Sequence, residues 1–258
     1  MNTLYAGYWT GEFGWELMRW QAIIRHAAKK FDRVVVGCMR DKRYLYQDFA
    51  TEYRDIDINN NSRNMWMANG MVNRIIADDG DYSNVIIVPN RDVCLGGPHK
   101  SDFLRYGTKS MHGYDILIHA RSTDNCSTGY RNYSLYHWSN IVSHCLGNNL
   151  SVCSVGKPGQ ALHIPNTTNL LGIPLSELAD VMSSSIALLS PSSGVAHFAC
   201  LCRLPHVVWS DTRLHATIGG TNKVRYERVW NPFNTECKFI GSWQPDYKQV
   251  LDKMYELL

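Results

Sequence analysis

The chain is predicted to be an α/β protein built from two Rossmann-like domains facing a central cleft. Three observations carry this expectation. Strand-like apolar runs alternate with segments of helical periodicity along the length. The alternation starts twice, near Thr3 and again near Tyr114, with Gly96, Gly97 and Pro98 lying between. A length of 258 residues is enough for two small α/β domains with full cores. The domains are expected at residues 1–111 and 112–258.

In the first half, Thr3 to Tyr8 reads as a short strand followed by the loop Thr10-Gly11-Glu12-Phe13-Gly14. Trp15 to Lys30 carries Leu17, Trp20, Ile23, Ile24 and Ala27 at helical spacing, which gives one apolar face. Arg33 to Cys38 is a buried strand, Tyr44 to Tyr53 a possible helix, and Asn84 to Pro89 another apolar strand. Asn59 to Asp81 has no assignable period. In the second half, Asp115 to His119 is a strand ending in Ala120-Arg121-Ser122-Thr123-Asp124, and a helix is expected from Tyr136 to Cys145. Leu150 to Val155 is the next strand, closed by Gly156-Lys157-Pro158-Gly159. Leu170 to Pro174 is a short strand or turn, Ser176 to Ser183 a helix with acidic residues in its first turn, and Pro245 to Leu258 a last amphipathic helix.

Composition narrows the function classes. Hydrophobic residues make up 45% and charged residues 19%, the balance of a globular chain. A net charge of +3 is too small to imply nucleic-acid binding by itself. No basic segment followed by an apolar one opens the sequence, and no run approaches a membrane span, so a soluble cytoplasmic protein is expected. The eight cysteines are dispersed without a C-x-x-C pair, and His137, His144, His163, His206 and His215 form no metal spacing. Free thiols and no bound metal are therefore expected. Asp55-Ile56-Asp57 has the letters of an Asp-x-Asp metal signature but sits in a strand-like stretch of the first half.

The segment from Ile186 to Trp209 holds most of the chemistry. It reads as a strand, a turn through Ser192-Ser193-Gly194, a helix start with His197 one turn in, and a second strand. Free backbone N–H groups and the positive end of the helix dipole suit a diphosphate there. The same residues equally suit an ordinary capped helix. Arg121 and Lys157, at two other strand ends, are either further cations for that anion or plain solvated charges, and His119 is either a phosphate contact or a structural hydrogen-bonder. Arg25, Lys29, Lys30, Arg33, Arg40, Lys42 and Arg43 are either a solvated face or a basic rim for an anionic acceptor.

Four segments in order, IHARSTDN with YHWSNIV, LSVCSVG, NLLGIPLSELADVM and PSSGVAHFACLCRLPHVVW, give the second half a specific pattern. That pattern resembles the donor domain of GT-B glycosyltransferases, in particular the heptosyltransferase-like family of lipopolysaccharide synthesis. The resemblance implies a GT-B-like fold and an enzyme moving a sugar from a nucleotide-sugar donor to an acceptor hydroxyl. It implies inversion by a single displacement, with residues 1–111 binding the acceptor and residues 112–258 the donor. Ser192, Ser193, Gly194 and His197 would hold the diphosphate with Arg121 and Lys157. Gly172 and Ile173 would line the base pocket, and Glu177 would reach the ribose. Ser192 stands where the family usually has Asp.

In the first half the family places an acidic residue after a glycine at the start of its first helix, as the catalytic base. Here Glu12 follows Gly11, whereas counting back from the helix end selects Glu16, so both are candidates. Either carboxylate could instead only stabilise the helix start. Fixed donors and cations make a cofactor or metal unnecessary in this reading. The acceptor is a glycan or another hydroxyl compound, and hydroxylated DNA bases are one such class. A nucleotide-sugar epimerase or hydrolase and a nucleic-acid-binding module are the other function classes weighed.

Overall fold

The computed structural model of the chain describes residues 2–9, 11–55, 85–87, 100–109, 112–123, 129–215 and 220–258. Asn59 to Asp81, the Asp57 end of the Asp-x-Asp letters, Asp124 and the glycines of the expected linker lie outside these residues. The chain divides into two compact units, Met1–Leu104 and Arg105–Leu258.

In the first unit, β1 (Thr3–Ala6), β2 (Arg33–Cys38), β3 (Glu52–Asp55) and β4 (Val85–Ile87) form a parallel sheet in the order β3-β2-β1-β4. Val34, Val35 and Val36 are buried in succession, as expected of a parallel strand covered on both faces. Between β1 and β2 runs helix α1, in three consecutive segments, Phe13–Trp15, a wider π-type turn Glu16–Trp20, and Gln21–Ala28. The wide turn rotates the third segment, so that Ala28 rather than Ala27 closes the buried stripe begun by Leu17 and Trp20.

The helix expected over Tyr44 to Tyr53 does not form. A short 3₁₀ turn, Arg40–Leu45, precedes β3 instead. The edge of β2 captures this segment. The Thr51 hydroxyl accepts from the Val34 N–H at 2.9 Å, and Arg33 pairs with Glu52 at 2.5 Å. The basic residues of this half are largely spoken for. Arg25 binds Asp48, Lys29 binds Asp102, Arg33 binds Glu52, and Arg40 and Arg43 both reach Asp55, so most of the expected rim is an ion-pair lattice.

The second unit carries β5 (Ile116–Ile118), β6 (Ala120–Arg121), β7 (Val152–Gly156), β8 (Ala161–Leu162), β9 (Thr168–Leu171), β10 (Ala187–Pro191), β11 (His206–Trp209), β12 (Leu214–His215), β13 (Gly220–Thr221) and β14 (Cys237–Ile240). Six of them form one parallel sheet ordered β9-β7-β5-β10-β11-β14. Numbered within that sheet, the order is third, second, first, fourth, fifth, sixth, which is the doubly wound Rossmann order. The pairs β6–β8 and β12–β13 are short antiparallel ribbons at its rim.

Helices α2 (Leu135–Gly147), α3 (Leu175–Ser184), α4 (Gly194–Leu201), α5 (Asn222–Val224 continuing as a π-type turn Arg225–Val229) and α6 (Tyr247–Tyr255) flank the sheet. Val207 and Trp209 face one core with Trp138 of α2 and Met254 of α6, whereas Val208 faces Ala196 and Tyr226 on the other side. That alternation is the period of two that a strand covered on both faces requires. Side chains cap the starts of α2, α4, α5 and α6. The Ser134 hydroxyl accepts from the His137 N–H, and Asp246 with Gln249 makes a reciprocal capping box. Among the described residues no helix is long and apolar enough to cross a membrane.

Candidate functional site

The winding of the second sheet reverses between β5 and β10, which are hydrogen-bonded neighbours. Helices leave in opposite directions at such a point, and a crevice opens outside the carboxyl ends of the strands. After β10 comes the turn Ser192-Ser193-Gly194. Ser193 is extended and its hydroxyl caps α4 by accepting from the Ala196 N–H at 3.3 Å. Ser193 and Gly194 are partly exposed. Among the described residues no protein acceptor takes up the Gly194 or Val195 N–H, so the first turn of α4 presents free donors.

Ser192 faces inward and is almost fully buried. Its hydroxyl lies 2.8 Å from the Tyr226 hydroxyl and accepts from Arg225 Nη2 at 3.1 Å, and its carbonyl accepts from Arg131 Nη2 at 3.1 Å. The Ser193 N–H donates to the Tyr226 hydroxyl at 3.2 Å. His197 lies beneath this turn rather than at its surface. Its ring stacks on Tyr226 with centroids 4.4 Å apart and meets Trp230 edge-on. Burial, and then the nearby Arg225, hold its pKa well below the usual histidine value, so the ring is neutral.

The neighbouring strand ends complete the edge. After β5, His119 is buried and donates through Nδ1 to the Val155 carbonyl at 3.1 Å, and burial brings its pKa down to about 4. It is a structural hydrogen-bonder. Arg121 is half-buried, and its Nη1 donates to Asn132 Oδ1 at 2.6 Å. After β7, Lys157 is exposed on a tight turn closed by Gln160 and Ala161 N–H groups on its carbonyl. After β9, the Gly172 N–H donates to the Gly156 carbonyl at 2.8 Å, which ties the ends of β7 and β9 together. Gly172 has φ +83°, a conformation suited to glycine. Ile173 is partly exposed next to it, and Glu177 is exposed in the first turn of α3. Ser192, Ser193, Gly194, Arg121, Lys157, Gly172, Ile173 and Glu177 thus all stand at or beyond the carboxyl edge of one sheet.

In the first unit, Glu12 is exposed and extended at the start of α1, where its carbonyl accepts the Trp9 indole N–H at 3.2 Å. Glu16 is one turn further and buried. Its Oε1 accepts from the Tyr46 hydroxyl at 2.8 Å, and burial raises its pKa against the opposing pull of Lys42 and of that hydrogen bond. The two glutamates therefore occupy different environments, one wet and one dry.

Arg131, Arg225 and Tyr226 carry no signal in the sequence that would single them out. They lie 61, 33 and 34 residues from Ser192, and only the fold brings them to it. Among the described residues no group of three His, Cys, Asp or Glu side chains is arranged to hold a metal ion.

The parallel α/β fold matches that of solved GT-B glycosyltransferases. No protein-family model matches the chain, and no curated protein matches it in sequence. Solved structures do match. The Escherichia coli ADP-heptose lipopolysaccharide heptosyltransferase II superposes with a TM-score of 0.65 at 12% identity, over 100% of this chain and 98% of that one. TibC from enterotoxigenic E. coli H10407, described as an iron-containing dodecameric glycosyltransferase, superposes with a TM-score of 0.57 at 14% identity, over 99% of this chain and 76% of that one. A Methanocaldococcus jannaschii UDP-GlcNAc 2-epimerase matches with a TM-score of 0.51 at 9% identity, over 99% and 92% of the two chains. At such identities the shared property is the fold.

Proposed function

We propose that the protein is a glycosyltransferase that moves a sugar from a nucleoside diphosphate donor to an acceptor hydroxyl, with inversion and without a metal. The observation that carries the reading is the positive edge at the switch point, where the first turn of α4 lies beside two arginines that both reach Ser192. A leaving diphosphate gains negative charge as the anomeric C–O bond breaks, and fixed donors and cations at that edge stabilise it.

In this reading residues 112–258 hold the donor. Ser193 and Gly194 meet the phosphates through the helix start, Ser192 links that turn to Arg131 and Arg225, and His197 supports it from below by packing on Tyr226. Lys157 and Arg121 add charge along the edge, Gly172 and Ile173 line the base pocket, and Glu177 meets the ribose. Residues 1–111 hold the acceptor. The acceptor oxygen attacks the anomeric carbon, its proton passes to a glutamate, and the electron pair of the broken bond leaves with the diphosphate. Glu12 suits the proton transfer better than Glu16. Its carboxylate is exposed, whereas that of Glu16 is enclosed and already hydrogen-bonded.

Thermal unfolding with ADP, UDP, GDP and CMP, with and without EDTA, tests the donor site. A nucleotide at a hundred times its Kd stabilises by about 2.7 kcal/mol. For a chain of this size that is a rise of roughly 2–4 °C per kcal/mol. One nucleoside diphosphate is expected to give that rise whether or not EDTA is present, and Glu12→Gln is expected to lose turnover while keeping it. A rise with none of them overturns the reading. The match to an epimerase supports a second reading, in which the donor is rearranged or hydrolysed in the absence of any acceptor. Product analysis without acceptor separates the two.

A further inference from the structure

Segments that follow β6, β11 and β14 meet around a pair of aromatic rings. Tyr130 lies in the 3₁₀ turn Gly129–Arg131, and Trp243 lies between β14 and α6. The rings stand edge to face, with centroids 5.6 Å apart and 85° between their planes. Tyr130 is 51% exposed, yet its loop is tied down. Gln244 Nε2 donates to the carbonyls of Tyr130 and Asn132, at 3.1 and 2.8 Å. The Tyr133 hydroxyl donates to the Pro245 carbonyl at 2.9 Å, a second tie between the same two loops. The Tyr130 hydroxyl accepts from Arg213 Nη2 at 3.4 Å.

The charges beside this corner are already engaged. Arg213 pairs with Asp211, whose carboxylate also accepts from Asn222 Nδ2 at 2.7 Å. Arg131 lies 4.8 Å over the Trp243 ring and reaches back to the Ser192 carbonyl. An exposed ring, held rigidly among paired charges, suits an uncharged ligand with one apolar face and polar edges. A sugar ring is such a ligand, because its C–H bonds pack on the aromatic face while its hydroxyls stay in water. The exposure decides which sugar. A ring whose bond is breaking has to be sheltered from water. Tyr130 is half open, and Leu214, next after Arg213, is 81% exposed. An open wall of this kind suits a ring further along a glycan.

We propose that Tyr130 and Trp243 form a stacking wall for a neutral sugar ring of a glycan acceptor, beyond the ring that carries the attacked hydroxyl. The second unit then helps to select the acceptor besides holding the donor. The proposal rests on the transferase reading only for calling the bound glycan an acceptor.

The test uses the full chain with three neutral tetrasaccharides, maltotetraose, cellotetraose and chitotetraose, in saturation-transfer NMR and calorimetric titration. Wild type is expected to bind at least one of them, with the same affinity at low and moderate sodium chloride. Tyr130→Ala is expected to weaken that binding about three- to tenfold. Tyr130→Phe keeps the ring and is expected to bind as wild type does. Both variants are expected to leave the response to nucleoside diphosphates unchanged, and thermal unfolding checks that they fold.

Wild type that binds none of the three overturns the proposal, as does a Tyr130→Ala protein that binds as tightly as wild type. Tyr130→Phe binding as weakly as Tyr130→Ala also overturns it, since the hydroxyl rather than the ring would then be the contact. Binding that drops as salt rises removes the neutral class of ligand. Tyr130→Ala that weakens a nucleotide sugar but not its free nucleoside diphosphate moves the ring to the donor site and overturns the acceptor assignment. Should Tyr130→Ala not fold, Tyr130→Gln, which keeps bulk without a ring, decides. Ring-dependent glycan binding with no response to any nucleoside diphosphate leaves the wall standing and removes the transferase reading. Sugar transfer that is indifferent to Tyr130 does the reverse.

Discussion

Gly156 shows how tightly single residues set the geometry of this edge. It has φ +140°, and a Cβ built on it would lie 2.6 Å from the Ala161 Cβ and 2.8 Å from Nδ1 of His119. The backbone of β7 thus passes directly against the ring that hydrogen-bonds Val155. Gly156→Ala is expected to destabilise the protein by about 1–3 kcal/mol through strain and overpacking, measurable by urea unfolding. Glu12 and Glu16 make a second residue-scale contrast. Glu16→Gln keeps an acceptor for Tyr46 and is expected to retain turnover, whereas Glu12→Gln is expected to lose it; steady-state assays of both variants decide between the two glutamates.

At the scale of elements, helix starts organise both packing and chemistry. Ser134 and Ser193 cap α2 and α4 in the same way. Each serine replaced by alanine is expected to cost about 1 kcal/mol of stability. Only Ser193→Ala is expected to weaken nucleoside diphosphate binding as well, and paired denaturation and titration would show it. Much of this level was legible in the sequence. Apolar runs such as Val34 to Val36 and Leu188 to Leu189 announce strands covered on both faces, and the serine–glycine turn announces α4. Only the Asp55 end of β3 was legible, in a strand-like stretch, because Glu52, Tyr53 and Arg54 carry the polarity of a sheet edge and owe their conformation to pairing with β2. The π-type turn in α1 was hidden too, since a periodic pattern assumes a uniform helix. The arginines around Ser192 were invisible for a third reason: nothing local relates residues 131, 192 and 225.

Across the whole molecule, buried neutral histidines tie stability to pH. Burial brings both His119 and His206 down to about 4, against an ordinary value of 6.5. Both folded values lie below the unfolded one, so unfolding takes up protons as the pH drops from about 6.5 to about 4. Their contribution is complete above pH 6.5 and is lost across that window, with a slope of up to about 1.4 kcal/mol per pH unit for each ring. Unfolding free energies measured from pH 7 to pH 4 are expected to fall along this slope, and His206→Asn is expected to make it shallower. A profile that is flat over that range would contradict the assignment.

The last helix has a consequence for how the chain is made. Val250, Leu251 and Met254 of α6 complete the core that Trp138 and Trp209 begin, and α6 comes later in the chain than every strand of its sheet. The first unit, Met1–Leu104, precedes the second in the chain. During synthesis it can therefore close while the rest is still being translated, whereas the second unit waits for nearly its final residues with an apolar sheet face uncovered. Ribosome-bound chains halted just before Tyr247 would expose that face to chaperones, and release of the final helix would end the exposure.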